Sequence, residues 1–186
     1  LSNQEAAESL KRDQFAAGKI VGVKEQFWCG YPDAGEYNYF DLRRDFLKHI
    51  RMLKPDFVFA PDAWLTYEGH RDHIQTGLAA VEAVMFAGLT KIASSDPAVD
   101  AAYEGHSING IALYFTREPN TIGDITSTWE DKLDAVKCYQ AQFDPAGMEQ
   151  LIMALDMKSQ QVAQGQSFAR GEPLKVLHTS ALHVGI

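Results

Sequence analysis

The sequence predicts an α/β fold in which a mostly parallel, Rossmann-like β-sheet is flanked by helices. Two observations support this prediction. Short apolar segments typical of strands alternate with amphipathic segments, and the amphipathic segments reach about ten residues or more, as the helices of βαβ units do. The chain of 186 residues contains no repeat, low-complexity tract or long Gly/Ser linker. Residues 1–186 are therefore expected to form a single domain.

The first part of the chain follows this alternation. An Ala-rich helical segment over residues 5–20 precedes residues 21–28, whose β-branched and aromatic side chains favour a strand, and a turn-rich loop at 30–35. An amphipathic helix then ends before Pro55, because the residue before a proline avoids the helical conformation. Its apolar stripe consists of Leu42, Phe46, Ile50 and Leu53. Residues 57–60 are apolar and are expected to form a strand buried on both faces.

The second part of the chain continues the pattern. A second amphipathic helix has its apolar stripe at Ile74, Leu78, Val81 and Met85. Further strands are expected at residues 91–93, 111–115 and 174–177. Residues 127–130 match a capping box at the start of one helix. Asp144-Pro145 supplies an N-cap residue and a proline suited to the first position of another helix.

Composition and charge exclude several classes of partner. The chain has 17 basic and 25 acidic side chains, a net charge of −8, so neither nucleic acid nor an anionic membrane is expected to bind it. No apolar run reaches the ~18 residues of a transmembrane helix. Cys29 and Cys138 lie in apolar segments without a CxxC spacing. They are expected to be buried free thiols, which suits a cytoplasmic protein.

A cluster of polar residues at 69–73 is the strongest candidate site. Its sequence, Gly69-His70-Arg71-Asp72-His73, follows the predicted strand at 57–60 and begins a helix. Ligands of open α/β sheets bind beyond the carboxyl ends of the strands. His70 and His73 are three residues apart, so a helix would present both from one face, and the positive end of its dipole would favour the neutral, metal-binding form. Asp72 could fix an imidazole tautomer.

The residues alone leave this site incomplete. A catalytic zinc usually has three protein ligands, and an exposed His/Asp cap without any ligand would show the same pattern. No other histidine stands at a recognisable metal-ligand spacing from this pair. The remaining histidines are His49, His106, His178 and His183.

Several short stretches follow one another in an order shared with a known family. They are Ile20-Val21-Gly22-Val23, Gly30-Tyr31-Pro32-Asp33, Lys54-Pro55-Asp56-Phe57-Val58-Phe59, His70-Arg71-Asp72-His73 and Asp124-Ile125-Thr126. Together they resemble the LmbE-like (PIG-L type) metal-dependent N-deacetylases, which remove acyl groups from N-acetylglucosamine-type sugars. The resemblance extends over residues 11–143.

The resemblance implies a zinc-dependent amide hydrolase that acts on a small acyl-amino sugar. By position, His73 would be a zinc ligand. His70 would stabilise the oxyanion or protonate the leaving amine, and Asp72 would be its orienting carboxylate. Asp33 would contact sugar hydroxyl groups. Because members of the family are often oligomers, a homo-oligomer is expected.

Two departures from the family pattern stand out. Arg71 replaces the proline of the family's HPDH motif. The family's HPDD motif, which supplies a His and an Asp to zinc and a further Asp as general base, does not occur in this sequence. The family alignment would place it ahead of Leu1, in a strand–helix–strand. We therefore expect an N-terminally incomplete domain that is inactive by itself.

Two other functions remain open on the sequence. The chain could be a non-catalytic α/β binding module that kept the fold and lost the chemistry. It could also be a different metal hydrolase that completes its site with other histidines, namely His106, His178 or His183.

Overall fold

The computed structural model describes residues 2–183, which form a mixed α/β structure. The helices are α1 (Asn3–Ile20), α2 (Tyr39–Leu53), α3 (Arg71–Phe86), α4 (Pro97–Ala102), α5 (Trp129–Val136) and α6 (Pro145–Val162). The strands are β1 (Phe57–Pro61), β2 (Gly110–Tyr114), β3 (Thr121–Asp124) and β4 (Gly171–His178). Short 3-10 turns occur at Thr126–Thr128 and Thr179–Leu182.

The chain divides into two compact units. The first, which we call the helical unit, contains the described residues up to Trp28 together with Ile122–Glu172. The second, the sheet unit, contains Cys29–Thr121 and the described residues from Pro173 onward. The candidate histidines at 70 and 73 belong to the sheet unit.

The strands lie in the order β1-β2-β4-β3. β1 and β2 run parallel, with Phe57 opposite Gly110 and Pro61 opposite Tyr114. β4 runs antiparallel to β2, and His178 lies opposite Gly110. The α/β class with flanking helices is therefore confirmed, whereas the expected parallel direction is correct for β1–β2 and wrong for β2–β4. The apolar character of a short segment predicts a strand but carries no signal for its direction.

The core of the sheet unit lies where α2 and α3 pack against each other and α3 packs against β1. Leu47, Ile111 and Leu113 are its largest fully buried side chains. Burying each such side chain contributes about 1.5–3 kcal/mol relative to leaving it exposed. Gly77 of α3 lies so close to β1 that an added Cβ would meet the Pro61 carbonyl oxygen at 2.3 Å. This close approach fixes α3, and with it the histidines at its start, against the end of β1.

Helix α2 confirms the predicted amphipathic helix with one change in its buried face. Leu42 and Ile50 are buried as expected, but Leu53 is 50% exposed and Leu47 is buried instead. The helix ends at Leu53, followed by Lys54 in the left-handed conformation directly before Pro55. Leu53 is thus the last residue of the helix and lies at the end of its buried face.

A buried arginine joins α2 to the segment after α3. The Arg51 side chain, 1% exposed, lies 2.6 Å from Asp100 Oδ1 and also donates to the carbonyl oxygens of Ala87 and Leu89. The predicted strand at residues 91–93 is wrong, because this stretch forms turns, one of them closed by the Ile92 N–H and the Leu89 carbonyl. Three residues are too few to separate a strand from an apolar turn by pattern alone.

Strand β1 occupies the predicted position, but the expectation that it is buried on both faces is wrong. Phe57 is 46% exposed and Phe59 is 64% exposed. Within the described residues β1 pairs with β2 alone and forms the edge of the sheet. Its apolar composition matches a central strand, whereas its burial is that of an edge strand.

In the helical unit, α1 packs against α5. Ser2 and Glu5 form a reciprocal capping box at the start of α1. Residues 21–28 are not a strand, so that prediction is wrong. A strand requires a hydrogen-bonding neighbour, and this segment belongs to none of the four strands of the described sheet. Gln26 instead donates from its side chain to the carbonyl oxygen of Phe15.

Of the two predicted helix caps, one is confirmed and the other is wrong. Asp144 accepts the Gly147 N–H at 2.7 Å and caps α6 as expected. The capping box predicted at residues 127–130, with Ser127 as its N-cap residue, is wrong. The N-cap residue of α5 is Thr128, and its side chain makes no cap hydrogen bond. The chain enters α5 through a 3-10 turn, where Thr126 Oγ1 accepts the backbone N–H groups of Ala169 and Arg170.

The expectation of two buried thiols is wrong for Cys29. Cys29 is exposed and Cys138 is partly exposed, and both are free. Cys29 lies at the end of the segment expected to be a strand, so its exposure follows from the lack of strand pairing there. Across residues 2–183, no helix combines the length and apolar character needed to cross a membrane.

Candidate active site

The site lies at the carboxyl end of β1, in the sheet unit. His70 is the N-cap residue of α3, and His73 is in the first turn of that helix. His70 accepts no backbone N–H through its side chain, which leaves the imidazole free for other contacts. The position after a strand and at a helix start is the one that the sequence predicted.

The two imidazole rings lie together on one face. Their centroids are 4.5 Å apart and their planes are tilted by 17°, so the rings are stacked. The side chains of His70 and His73 are 47% and 43% exposed. Both rings can therefore reach a ligand, as their spacing of three residues at a helix start predicted.

Two aspartates flank His70. The Nδ1 atom of His70 lies 3.7 Å from Asp72 Oδ2, and its Nε2 atom lies 4.0 Å from Asp33 Oδ1. These distances allow ion pairing with a protonated imidazole, but they exceed the range of a hydrogen bond. The direct hydrogen bond through which Asp72 could fix an imidazole tautomer is thus not formed in this structure.

Asp72 instead holds the loop that carries Asp33. Its Oδ2 atom accepts the Ala34 N–H at 2.8 Å, and Ala34 has a left-handed backbone with φ of 66°. Burial opposes ionisation of Asp72, but hydrogen bonds donated by the Tyr37 hydroxyl and by the backbone N–H groups of this loop lower its pKa. Burial and the neighbouring Asp72 raise the pKa of Tyr37 to about 12. Asp33 remains largely exposed, with 89% of its side chain accessible.

Glu68 is a site residue that the sequence analysis missed. Its Oε2 atom lies 2.9 Å from His73 Nδ1, and its Oε1 atom accepts the His70 N–H at 2.7 Å. The hydrogen bonds from His73 and from the His70 backbone lower the pKa of Glu68. A carboxylate shortly before a helix N-terminus, with a histidine in the first turn, was the available signal.

Three side chains at this position could together hold a metal ion. Asp33, His70 and Asp72 offer ligand atoms that all lie within 4.8 Å of one another. Among residues 2–183 no group of three potential ligands includes His73, His106, His178 or His183. His106 Nε2 contacts the Pro55 carbonyl oxygen, and His178 Nδ1 contacts Ser180 Oγ. The described residues therefore give no support to a site completed by these histidines.

One exposed aromatic ring lies beside His73, and two more exposed aromatic side chains belong to the loop between β1 and α3. Phe115, directly after β2, has its ring centroid 6.1 Å from that of His73 and is 56% exposed. Tyr67 is 92% exposed, and Trp64 is 60% exposed. Phe115 and Tyr67 both have left-handed backbones, with φ of 60° and 67°. Such strain in non-glycine residues clusters at functional sites.

A cavity of about 250 Å³ lies at the same end of β1 and β2. Its lining includes Asp62, Trp64, Thr116, Arg117, Glu118 and Lys175. The lining combines charged side chains of both signs with an aromatic ring, which suits a polar ligand more than an apolar one.

Comparison with known proteins identifies a family. The protein-family model described as PIG-L, GlcNAc-PI de-N-acetylase, matches residues 2–84, which include Asp33, Glu68, His70 and His73. A diacetylchitobiose deacetylase of Thermococcus kodakarensis is 35% identical over 143 residues, covering 77% of this chain and 53% of that protein. The chain thus spans about half the length of this curated relative.

Solved structures of similar proteins have the same fold as this chain. The N,N'-diacetylchitobiose deacetylase from Pyrococcus horikoshii, determined with its inhibitor MPG, superimposes with a TM-score of 0.85 at 33% identity. The match covers 99% of this chain and 68% of that one. The conserved protein TT1542 from Thermus thermophilus has a TM-score of 0.75 at 23% identity, over 90% of this chain and 72% of that one, which supports the fold alone.

Proposed function

The chain belongs to the PIG-L (LmbE-like) family, and from this premise we propose that it forms part of a zinc-dependent N-deacetylase. The substrate would be an N-acetylglucosamine-type sugar or glycoconjugate, and the reaction would hydrolyse its acyl amide. The observation that carries the proposal is the pair of stacked imidazoles of His70 and His73 at the carboxyl end of β1. We also propose a cytoplasmic homo-oligomer.

His73 would be a metal ligand through Nε2. Its Nδ1 atom contacts the Glu68 carboxylate at 2.9 Å, and a carboxylate accepts hydrogen bonds, so the proton lies on Nδ1. The unprotonated Nε2 is then the nitrogen available to a metal. This arrangement fits zinc, which binds neutral imidazole. A bound zinc would supply a water of lowered pKa, near 7, and would polarise the amide carbonyl.

His70 would act on the reacting amide beside the metal. Its ring stacks on that of His73, so a substrate atom close to a metal on His73 would also be within reach of His70. A protonated His70 can donate to the oxygen on which negative charge develops, or to the leaving amine. Asp33 and Asp72 lie 4.0 and 3.7 Å from its two nitrogens and are the carboxylates that flank this donor.

Asp33 would bind hydroxyl groups of the sugar. It is exposed on a loop that Asp72 holds against the start of α3, and a carboxylate accepts hydrogen bonds from hydroxyl groups. The exposed ring of Phe115, 6.1 Å from that of His73, is suited to the less polar face of a sugar ring. The acetylated sugar named for the curated relative supports this substrate class.

A second set of ligands, without His73, could hold the metal instead. The ligand atoms of Asp33, His70 and Asp72 lie close enough to share one ion. In that arrangement Asp33 and His70 would be ligands and would not contact substrate. The oxygen-rich set would favour a harder ion than zinc, such as Mn²⁺ or Mg²⁺.

Acetate release from N-acetylglucosamine and from N,N'-diacetylchitobiose tests the proposed activity in the full-length protein. We expect turnover that a chelator abolishes and that added zinc restores. No turnover of either sugar by metal-loaded protein would favour a binding module of the same fold. We expect residues 1–186 alone to show no turnover, because a catalytic zinc usually takes three protein ligands and the resemblance assigns only His73 here.

A further inference from the structure

We propose that Glu68 is the positioning residue of this site. A single carboxylate fixes the metal-binding nitrogen of His73 and the backbone of His70 at the same time. This inference rests on the proposed role of His73 as a metal ligand. It adds a residue that neither the sequence pattern nor the family resemblance assigns.

The first step is the contact with the imidazole. Glu68 Oε2 lies 2.9 Å from His73 Nδ1, a hydrogen-bond distance. The contact holds the ring in one orientation and in the tautomer that bears its proton on Nδ1. A carboxylate in this position also makes the opposite nitrogen a better electron donor to a metal.

The second step is the contact with the backbone. Glu68 Oε1 accepts the His70 N–H at 2.7 Å, while the Glu68 N–H donates to the Leu65 carbonyl at 3.1 Å. The carboxylate thereby ties the start of α3 to the turn before it. His70 has no side-chain cap of its own, so this contact stabilises the chain at that point.

Backbone strain next to Glu68 supports the same interpretation. Tyr67 has φ of 67°, a conformation that costs a non-glycine residue about 1–3 kcal/mol and persists only where surrounding contacts enforce it. The two hydrogen bonds of the Glu68 carboxylate are contacts of that kind. They keep the turn in the shape that places Glu68 between the two histidines.

The sequence suggested Asp72 as the carboxylate that orients an imidazole. The distances show that Glu68, and not Asp72, makes that hydrogen bond. Asp72 is 3.7 Å from the nearest His70 nitrogen, and its Oδ2 is engaged by the Ala34 N–H. Glu68, 18% exposed, makes the hydrogen bond to an imidazole. Asp72 therefore orders the Asp33 loop, and Glu68 orders the metal-binding histidine.

The test compares Glu68→Ala and Glu68→Gln with Glu104→Gln in the full-length protein. Glu104 is an exposed glutamate of the same unit. The zinc dissociation constant is measured by competition with a chelator, and the absorption spectrum is recorded after Co²⁺ substitution. We expect Glu68→Ala to weaken zinc binding about 10–100-fold and to change the Co²⁺ spectrum. Glu68→Gln should have a smaller effect, and Glu104→Gln should have none.

A second readout keeps the test decisive if Glu68→Ala does not fold. We expect the ¹⁵N chemical shifts of His73 in the metal-free parent protein to show a single Nδ1-protonated tautomer, and those of metal-free Glu68→Gln to show that this single tautomer is lost. Folded Glu68 variants with the parent zinc affinity and the parent His73 shifts would overturn the proposal.

His73→Ala separates the positioning role of Glu68 from the metal-ligand role of His73. If it loses zinc while Glu68 variants bind normally, only the Glu68 proposal fails, and if it keeps zinc, the proposed metal role fails.

Discussion

The imidazole rings of His70 and His73 are stacked with their centroids 4.5 Å apart at the first turn of α3. Residues three apart on a helix share a face, so one turn presents both rings to the same substrate group. A metal on one ring and a proton donor on the other would then act on a single amide. The proposed division of roles between the two histidines follows from this spacing.

His70→Ala should preserve zinc and lose turnover. His70 is assigned to the reacting amide and not to the metal, and removing one such donor typically lowers kcat about 10²–10³-fold. Metal analysis and kcat for an acetylated sugar, both in the full-length protein, check this. His49→Ala, on α2, is the matched control and should keep kcat. A kcat near the parent value in His70→Ala would refute the role.

Gly77→Ala should destabilise the sheet unit and weaken zinc binding. The new Cβ would meet the Pro61 carbonyl oxygen at 2.3 Å and Ala63 N at 2.9 Å, and both are backbone atoms that cannot rotate away. We expect a loss of about 1–3 kcal/mol in the free energy of unfolding. Gly88→Ala, where no atom lies within 4 Å of the added Cβ, should change little. Equal urea midpoints for the two variants would contradict the close packing of α3 on β1.

Several elements could be predicted from the sequence because their signals are local. The stripe of α2, the proline after it and the Asp144 cap of α6 each depend on residues within a few positions of one another. The pair His70 and His73 is also a local pattern, because it needs only one helix turn. The structure confirmed these features, apart from Leu53 of the α2 stripe, which is exposed.

Other elements depend on contacts between distant residues and could not be predicted from local patterns. Residues 21–28 have strand composition, but a strand also requires a neighbour. The direction of β4 depends on its pairing with β2. The bond between Asp72 and Ala34 joins residues that lie 38 positions apart. Glu68 was missed because its two contacts require the turn at Tyr67, which has a left-handed backbone. Its position shortly before the helix start was a local signal, but that signal does not specify these contacts.

Asp100→Ala should destabilise the sheet unit in a pH-dependent way. It leaves the buried Arg51 guanidinium without its carboxylate, and breaking a buried pair by removing one partner costs about 3–5 kcal/mol. Urea unfolding at pH 7 measures the loss. Asp41→Ala, in an exposed pair with Arg44, is the control and should cost less than about 1 kcal/mol.

The pH dependence of that loss has a definite sign. Burial opposes ionisation of Asp100, but hydrogen bonds from Ser94 and Arg51 lower its pKa below the usual value. A carboxyl group with a lowered pKa in the folded state adds stability above its unfolded-state pKa, about 3.9, and this stability is lost as the pH falls through the folded-state pKa. The difference between the parent and Asp100→Ala should therefore shrink below about pH 4. A constant difference from pH 7 to pH 3 would contradict this.

Asp144→Ala should destabilise the helical unit by about 1 kcal/mol, because it removes the oxygen that accepts the Gly147 N–H at the start of α6. Thr128→Ala is the matched control. Thr128 occupies the N-cap position of α5 without a side-chain cap bond, so Thr128→Ala should leave the free energy of unfolding almost unchanged. Thermal unfolding of both variants measures the difference, and a larger effect at Thr128 would contradict the assigned caps.

The most direct test of the account is the zinc content of full-length His73→Ala and Asp33→Asn, measured by elemental analysis after purification without chelator. With His73 as a ligand and Asp33 as a substrate contact, His73→Ala should lose bound zinc and Asp33→Asn should retain it. Full zinc occupancy in His73→Ala together with loss of zinc in Asp33→Asn would contradict the account and place the metal among Asp33, His70 and Asp72.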